Sequence, residues 1–468
     1  MTDHTAADAD QIDPPSQSNL TMIDAESDAV VTERATPSAD TERVFRRLVA
    51  NTLITGVTSS FLWFAVTFWV YLETRSVVAT GVIGAAFGLS SALIGPAFGT
   101  FVDRHRKHWA MVVATAVSAG CFVAATLVFV VIDADTLLDL GSPWFWILIA
   151  LTLLGSVAGQ MRAIPLSTCV TLLVPADRRD RANGLVGTVT GLSFAITSVF
   201  SGLVIGRLGM GWALYGSVAL VAVALVHLAS IRFDEPAPER SADAPTSHVD
   251  IRGAMEAIRA VPGLGMLILL AAFNNLLGGV FLALMDAYGL SLVSVEVWGL
   301  LFAGISTAFI IGGLIVARVG LGSRPVRIVL LGNLVNWFIC ATFTLRSSVV
   351  LLTIGMYVWL LLIPVIEAAE QTVLQRSIPF ERQGRVFGFA QLVENAASPV
   401  TALLIGPIAE TFFMPTMTDG SGADLIGDWF GTGPERGLAL IFTLAGLLGI
   451  VVTVMAGTSR SYRRLVAA

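Results

Sequence analysis

Apolar runs of about twenty residues or more recur along this chain, separated by short polar turns. Twelve are counted, near 48–71, 77–101, 109–132, 144–174, 184–206, 211–231, 263–288, 295–318, 326–345, 348–376, 386–411 and 437–458. A helix needs ~20 consecutive apolar residues to cross the ~30 Å hydrocarbon core of a bilayer. The pattern therefore predicts an all-α polytopic membrane protein with twelve transmembrane helices. Between the sixth and seventh runs lies "RFDEPAPERSADAPTSHVDIRGAMEAIRAVPGL", polar and proline-rich, ending in a predicted amphipathic helix. It divides the chain into a six-helix half at 43–231, a linker at 232–262, a second half at 263–459 and a tail at 460–468.

Composition agrees with that reading. Of 468 residues, 55% are hydrophobic and only 13% charged. A soluble fold of this size cannot cover so much apolar surface. The net charge of −6 is unevenly spread, because residues 1–40 hold nine acids against one base, Arg34. Residues 1–42 are read as a disordered acidic tail, and without an apolar core region they form no cleavable signal peptide. Cys121, Cys169 and Cys340 lie in apolar runs at no metal-ligand spacing. They are read as packed thiols, and no metal is expected.

Lysine and arginine placement orients the spans. With the N-terminus inside, the inner segments collect 23 of the 28 cations. Arg75, Arg207, Arg346 and Arg436 fall outside, and Arg162 falls within a span. Cytoplasmic loops of membrane proteins carry the excess of Lys and Arg, so both termini are expected in the cytoplasm. The densest run, "DRHRKH" at 103–108, falls in the loop between the second and third spans. Its cations are read as topology charges that stand in for one another. That leaves Asp103, with Gly95 and Gly99 before it, without an account.

The two halves repeat at an offset of 204 residues. "LLVPADRRDRANGLVGTVTG" (172–191) aligns with "QRSIPFERQGRVFGFAQLVEN" (375–395), matching Pro175 with Pro379, Arg178 with Arg382, Arg181 with Arg385 and Gly184 with Gly388. Parallel six-helix repeats are the build of transporters that hold substrate at mid-membrane between their halves. "GTFVDRHRK" resembles the 2/3-loop signature of the major facilitator superfamily, Gly-x-x-x-Asp-Arg-x-x-Arg/Lys, through Gly99, Asp103, Arg104 and Lys107. The likeness runs over about residues 43–464. It points to the drug:proton antiporters of the macrolide-efflux and siderophore-exporter branch, near actinobacterial Tap-like multidrug efflux proteins.

The resemblance implies two six-helix pseudo-symmetric bundles and a conformational latch. In that latch the loop acid meets the start of the eleventh span, joining Gly99, Asp103, Arg104 and Lys107 to the region of Arg385. The physics supports it, since the amides near Val386–Gly388 open a helix and favour a carboxylate. Three positions depart from the family. Arg106 stands where glycine is usual, and "TSVFSG" (197–202) stands where the fifth span usually ends Gly-Pro-x-x-Gly-Gly. No arginine lies near Thr152 in the fourth span.

An ionisable residue inside a bilayer costs roughly 2.5–3.5 kcal/mol, so each one needs an account. Arg162, Glu367, Glu370 and Glu394 are the proton-coupling candidates. In the 204-residue register Glu367 takes the place of Ala163, so a tenth-span glutamate is expected to meet Arg162 across the cavity. A carboxyl balanced between desolvation and a guanidinium can load a proton in one conformation and release it in another. A static Arg162–carboxylate pair is the alternative, and Glu394, beside Asn395 and Pro399, has a helix-breaking role as its rival. Asn51, Thr55, Thr58 and Ser59 form a polar stripe on the first span, with Trp63 one turn on. Asn51, Thr55, Ser59 and Trp63, together with Gln160, Asn274, Asn275 and Trp359, are the candidate substrate contacts. An apolar cavity with a few polar points suits hydrophobic or amphipathic small molecules.

The expectation is a secondary active transporter that exports such molecules by proton antiport and alternating access. It would work as a monomer in a bacterial plasma membrane, its partners being substrate, protons and lipid. A lipid or lysophospholipid translocator of the same fold is one rival. A non-transporting membrane receptor or assembly protein is another, of a different class. The sequence holds no Gly-x-x-x-x-Gly-Lys-Ser/Thr phosphate loop and no catalytic constellation. Neither an enzyme, a cofactor nor a nucleic-acid partner is expected.

Overall fold

A computed structural model describes residues 39–74, 77–235 and 249–467. The acidic tail up to residue 38, Arg75, and linker residues 236–248 with Arg240 lie outside the described residues. Among those described, the regular elements are helices and no strand occurs. Twelve helices are long and apolar enough to cross a membrane: Asp40–Thr74, Val82–Arg104, Lys107–Val131, Pro143–Leu173, Ala176–Leu208, Met210–Ala229, Leu264–Leu292, Val297–Val319, Pro325–Thr342, Val349–Ser377, Phe380–Thr418 and Pro434–Thr458. Helix is the form expected there, because hydrocarbon offers backbone N–H and C=O groups no other partner.

Two spans carry interruptions with identifiable causes, and two others, the second and the tenth, run unbroken through a proline. The fourth breaks at Arg162, where one helix ends at Met161 and the next begins at Ala163, with Pro165 just beyond. The tenth runs through Pro364. The eleventh holds Pro399 and Pro407, and after the second its turn Ala409–Phe413 widens to π geometry. Each proline removes one N–H and crowds the turn before it.

The spans form two six-helix bundles. The second span packs along the eleventh and the fifth along the eighth, and these two crossings join the bundles. Small residues let the backbones approach. A Cβ added at Gly95 would lie 2.9 Å from the carbonyl oxygen of Gly388. One at Gly184 would lie 2.6 Å from the amide of Ala317, and one at Gly313 2.6 Å from that of Thr188. Lipid supplies no hydrophobic drive between helices, so such close packing is what holds them together. Around the outside runs an apolar belt, in which Val226, Leu282, Leu300 and Val319 are 71–76% exposed. In a bilayer that belt meets acyl chains.

The loop after Arg104, the turns at Pro175 and Pro379, and the short helices Ile251–Ala260 and Arg460–Ala467 gather on one face. It is called the arginine-rich face below. The linker helix Ile251–Ala260 is amphipathic as expected, burying Ala254, Ala257 and Ile258 while Arg252 and Glu256 pair on its outer side.

Candidate functional site

The arginine-rich face is shut by three polar contacts between the bundles. In the first, Asp103 at the end of the second span meets the start of the eleventh. Its Oδ1 accepts from the amide of Gly384 at 2.6 Å, and its Oδ2 accepts from the amide and Nε of Arg385, both at 2.9 Å. The carboxylate is only 2% exposed. Gly99 makes this approach possible, since a Cβ there would lie 3.1 Å from the Cα of Gly388. Gly95 and Gly99 thus have the account that the charge run alone withheld.

The linker joins the same contact. Arg385 gives its Nη1 to Asp250, whose own amide donates to Thr100 at 3.0 Å. Upstream, Glu235 accepts from the amides of Lys107 and His108, closing the start of the third span. Lys107 departs from its reading as an interchangeable topology charge. It is buried, its Nζ donates to the carbonyl of Val102 at 2.9 Å, and it lies 4.9 Å from the centre of the Phe380 ring. It therefore reaches across the same inter-bundle contact. Arg104 is half-buried beside it and Arg106 is exposed.

In the second contact Asp180, at the start of the fifth span, accepts from the amide of Leu321 at 2.6 Å. Leu321 follows the eighth span, and between them Gly320 takes φ 82° with Asp180 Oδ2 2.8 Å from where a Cβ would be. In the 204-residue register position 180 corresponds to 384, so this contact mirrors the first with donor and acceptor exchanged. The third contact ties the fourth and fifth spans to the tenth. Asn183 Nδ2 donates to Thr372 and Gln375 at 2.9 Å each, and Gln375 Nε2 donates to the carbonyl of Ser167 at 3.0 Å. Asp180, Asn183, Gln375, Asp250 and Glu235 were not among the sequence candidates. The repeat register could have pointed to Asp180; the others carry no local signal.

Within the spans, the structure redistributes the candidates. Arg162 does not meet a tenth-span glutamate. It donates to Thr55 Oγ1 and Asn51 Oδ1, and Asn51 in turn donates to the carbonyl of Ala224 at 2.8 Å. Arg162 thus ties the first, fourth and sixth spans inside one bundle, and none of the ion pairs among the described residues includes it. The cause is periodicity: the stripe of Asn51, Thr55, Thr58 and Ser59 is real, but it faces the bundle interior and is buried. Asn274 is likewise drawn inward, donating to Asn333 and accepting from Trp337 Nε1 at 2.9 Å each. Gln160 and Asn275 remain exposed. Trp63 stacks on Phe87 at 5.0 Å and Trp359 on Phe281 at 4.3 Å, and both rings are half-buried.

The glutamates do come together. The carboxyls of Glu370 and Glu394 lie side by side, Glu370 Oε1 is buried with no hydrogen-bond partner, and Glu367 lies within electrostatic range of both. Two carboxyls bond to each other only when one carries a proton to donate. Among the described residues no group of three or more His, Cys, Asp or Glu is placed to hold a metal ion.

Residues 48–403 match the family model of the Major Facilitator Superfamily. The chain belongs to the major facilitator superfamily. It is 21% identical over 382 residues to macrolide efflux protein A of Streptococcus pyogenes, covering 78% of this chain and 89% of that one. The human organic anion transporter MFSD10 (TETRAN) shares its fold, with a TM-score of 0.65 at 14% identity over 87% of this chain and 99% of that one. A bacterial homologue of the iron transporter ferroportin, solved in an outward-facing state with soaked iron, gives 0.62 at 17% identity over 89% and 99%. Membership makes this chain a multi-pass membrane transporter that binds small molecules.

Proposed function

We propose that this transporter exports hydrophobic or amphipathic small molecules from a bacterial cytoplasm in exchange for protons, by alternating access. In this reading the arginine-rich face is cytoplasmic, because 23 of 28 cations follow the positive-inside distribution. Both termini then lie inside, the halves divide at 232–262, and the working unit is a monomer in the plasma membrane.

The observation that carries the reading is the meeting of Glu370 and Glu394 deep within the spans. A proton between them removes one buried charge, and its departure restores that charge, so proton occupancy changes the energy of this region. While the latch holds the cytoplasmic face shut, the pair is loaded from outside and substrate leaves there. When the latch opens, the proton departs inward and new substrate enters. The efflux role named for the streptococcal relative, a macrolide exporter by its name, favours a hydrophobic or amphipathic cargo.

The test is uptake of labelled macrolides and lipophilic cations into proteoliposomes, with and without an imposed pH gradient. Gradient-driven accumulation is expected. Equal uptake under both conditions would remove proton exchange from the account.

A further inference from the structure

The fourth, fifth and tenth spans line a partly open cavity of about 80 Å³ next to the carboxyl cluster. Its polar wall is Ser167, Asn183, Thr190, Glu367 and Gln371, and Pro364 supplies apolar surface. A drug-sized ligand needs roughly 300–1,000 Å³, whereas a water takes ~30 Å³ as its share of the liquid. The cavity therefore fits a few waters and excludes the cargo. Its lining also offers waters their partners. The Glu367 side chain is exposed although it sits in mid-span, and Gln371 Oε1 is buried with no hydrogen bond.

The floor of this cavity is the third inter-bundle contact. Asn183 lines the cavity and bonds to Gln375, and Gln375 holds the carbonyl of Ser167, another lining residue. Asn183 and Gln375 belong to different bundles, so their bonds must break when the bundles rock apart. We propose that this cavity is the chamber through which the proton leaves towards the arginine-rich face, with the Asn183–Gln375 pair as its gate.

The inference deepens the proton-exchange reading above and rests on it. Glu367 is the one charged residue in the lining; the fourth span presents Ser167, and the fifth presents Asn183 and Thr190, all uncharged. The titratable groups near Glu367 are Glu370, one turn on along its own helix, and Glu394 on the eleventh span. A proton on the pair passes to the Glu367 carboxylate as one O–H bond breaks and another forms. Glu367 then yields it to a chamber water, which leaves as hydronium once the gate opens. Release is thereby confined to the conformation in which the arginine-rich face is open.

The experiment is proton leak through the reconstituted transporter without cargo, read by a pH dye inside the vesicles under an imposed gradient. Gln375→Ala and Asn183→Ala should each raise the leak about tenfold, the effect of losing ~1.4 kcal/mol from the gate. Adding Glu367→Gln, or Thr190→Leu to fill the chamber with apolar bulk, should return the leak to the wild-type rate. An unchanged leak in both gate variants overturns the proposal, as does a raised leak indifferent to Glu367. In those cases gradient-driven transport by the wild type leaves the proton-exchange reading standing. A wild type that ignores the gradient overturns both.

Discussion

Asp103 takes the backbone amide and the Nε of Arg385 on one carboxylate oxygen, both at 2.9 Å, across 282 residues of sequence. The amide of Gly384 fills the other oxygen. This is a helix N-terminus capped by an acid from the opposite bundle. Capping charges of this kind contribute typically 0.3–1 kcal/mol and up to ~2 kcal/mol when partly buried. With the Arg385 pair added, we propose that this contact sets the balance between two conformations.

Asp103→Asn keeps the size of the side chain and removes its charge. A loss of ~1.4 kcal/mol would shift the conformational ratio about tenfold. Cysteine labelling of positions behind the latch should rise accordingly, with normal membrane insertion. Labelling equal to wild type would make Asp103 one more loop charge.

Lys107→Gln should not be neutral. The ammonium caps the carbonyl end of the second span and rests on Phe380 of the opposite bundle. A cation–π contact of this kind is worth ~0.5–2 kcal/mol, so labelling should rise about two-fold or more. Arg106→Gln, at an exposed position of the same loop, should label as wild type does.

Asp180→Asn tests the mirrored contact. It weakens acceptance from the Leu321 amide at the fifth–eighth crossing while leaving the second–eleventh crossing untouched. The same assay should show a shift of the same sign, additive with Asp103→Asn because the two sites share no partner. A double variant no more labelled than either single one would mean that one latch governs the other.

Arg162→Ala should lower the melting temperature. Hydrogen bonds to a charged group contribute ~1.5–3 kcal/mol, and the substitution strips that partner from Asn51 and Thr55. In double-mutant cycles Arg162 should couple to Asn51 and add independently with Glu370. Coupling to Glu370 instead would restore the cross-cavity ion pair.

Much of this was legible in the sequence, for physical reasons. Span length is fixed by the bilayer, so apolar runs located all twelve helices, most to within a few residues, though the first, fifth and eleventh begin six to eight residues earlier than the runs do. The Asp103 latch could be read because a lone acid among cations needs a donor, and the start of a helix supplies one. Its partners prove to be Gly384 and Arg385 rather than amides near Val386–Gly388, because the helix after the Pro379 turn begins earlier than hydropathy indicates. Arg162 was misplaced for a different reason. A polar stripe shows that Asn51 and Thr55 share a face, but periodicity does not say whether that face meets the cavity or the bundle's own interior. Asp250 and Glu235 were beyond reach, since a polar linker has no period from which to read its docking.

In the proposed cycle the Glu370–Glu394 pair carries the exchanged proton. The most direct measurement compares two modes in the same vesicles: counterflow of labelled drug, which needs no net proton movement, and accumulation driven by a pH gradient. Glu370→Gln and Glu394→Gln should each retain counterflow and lose gradient-driven accumulation. Full gradient-driven accumulation in the double variant would contradict the account.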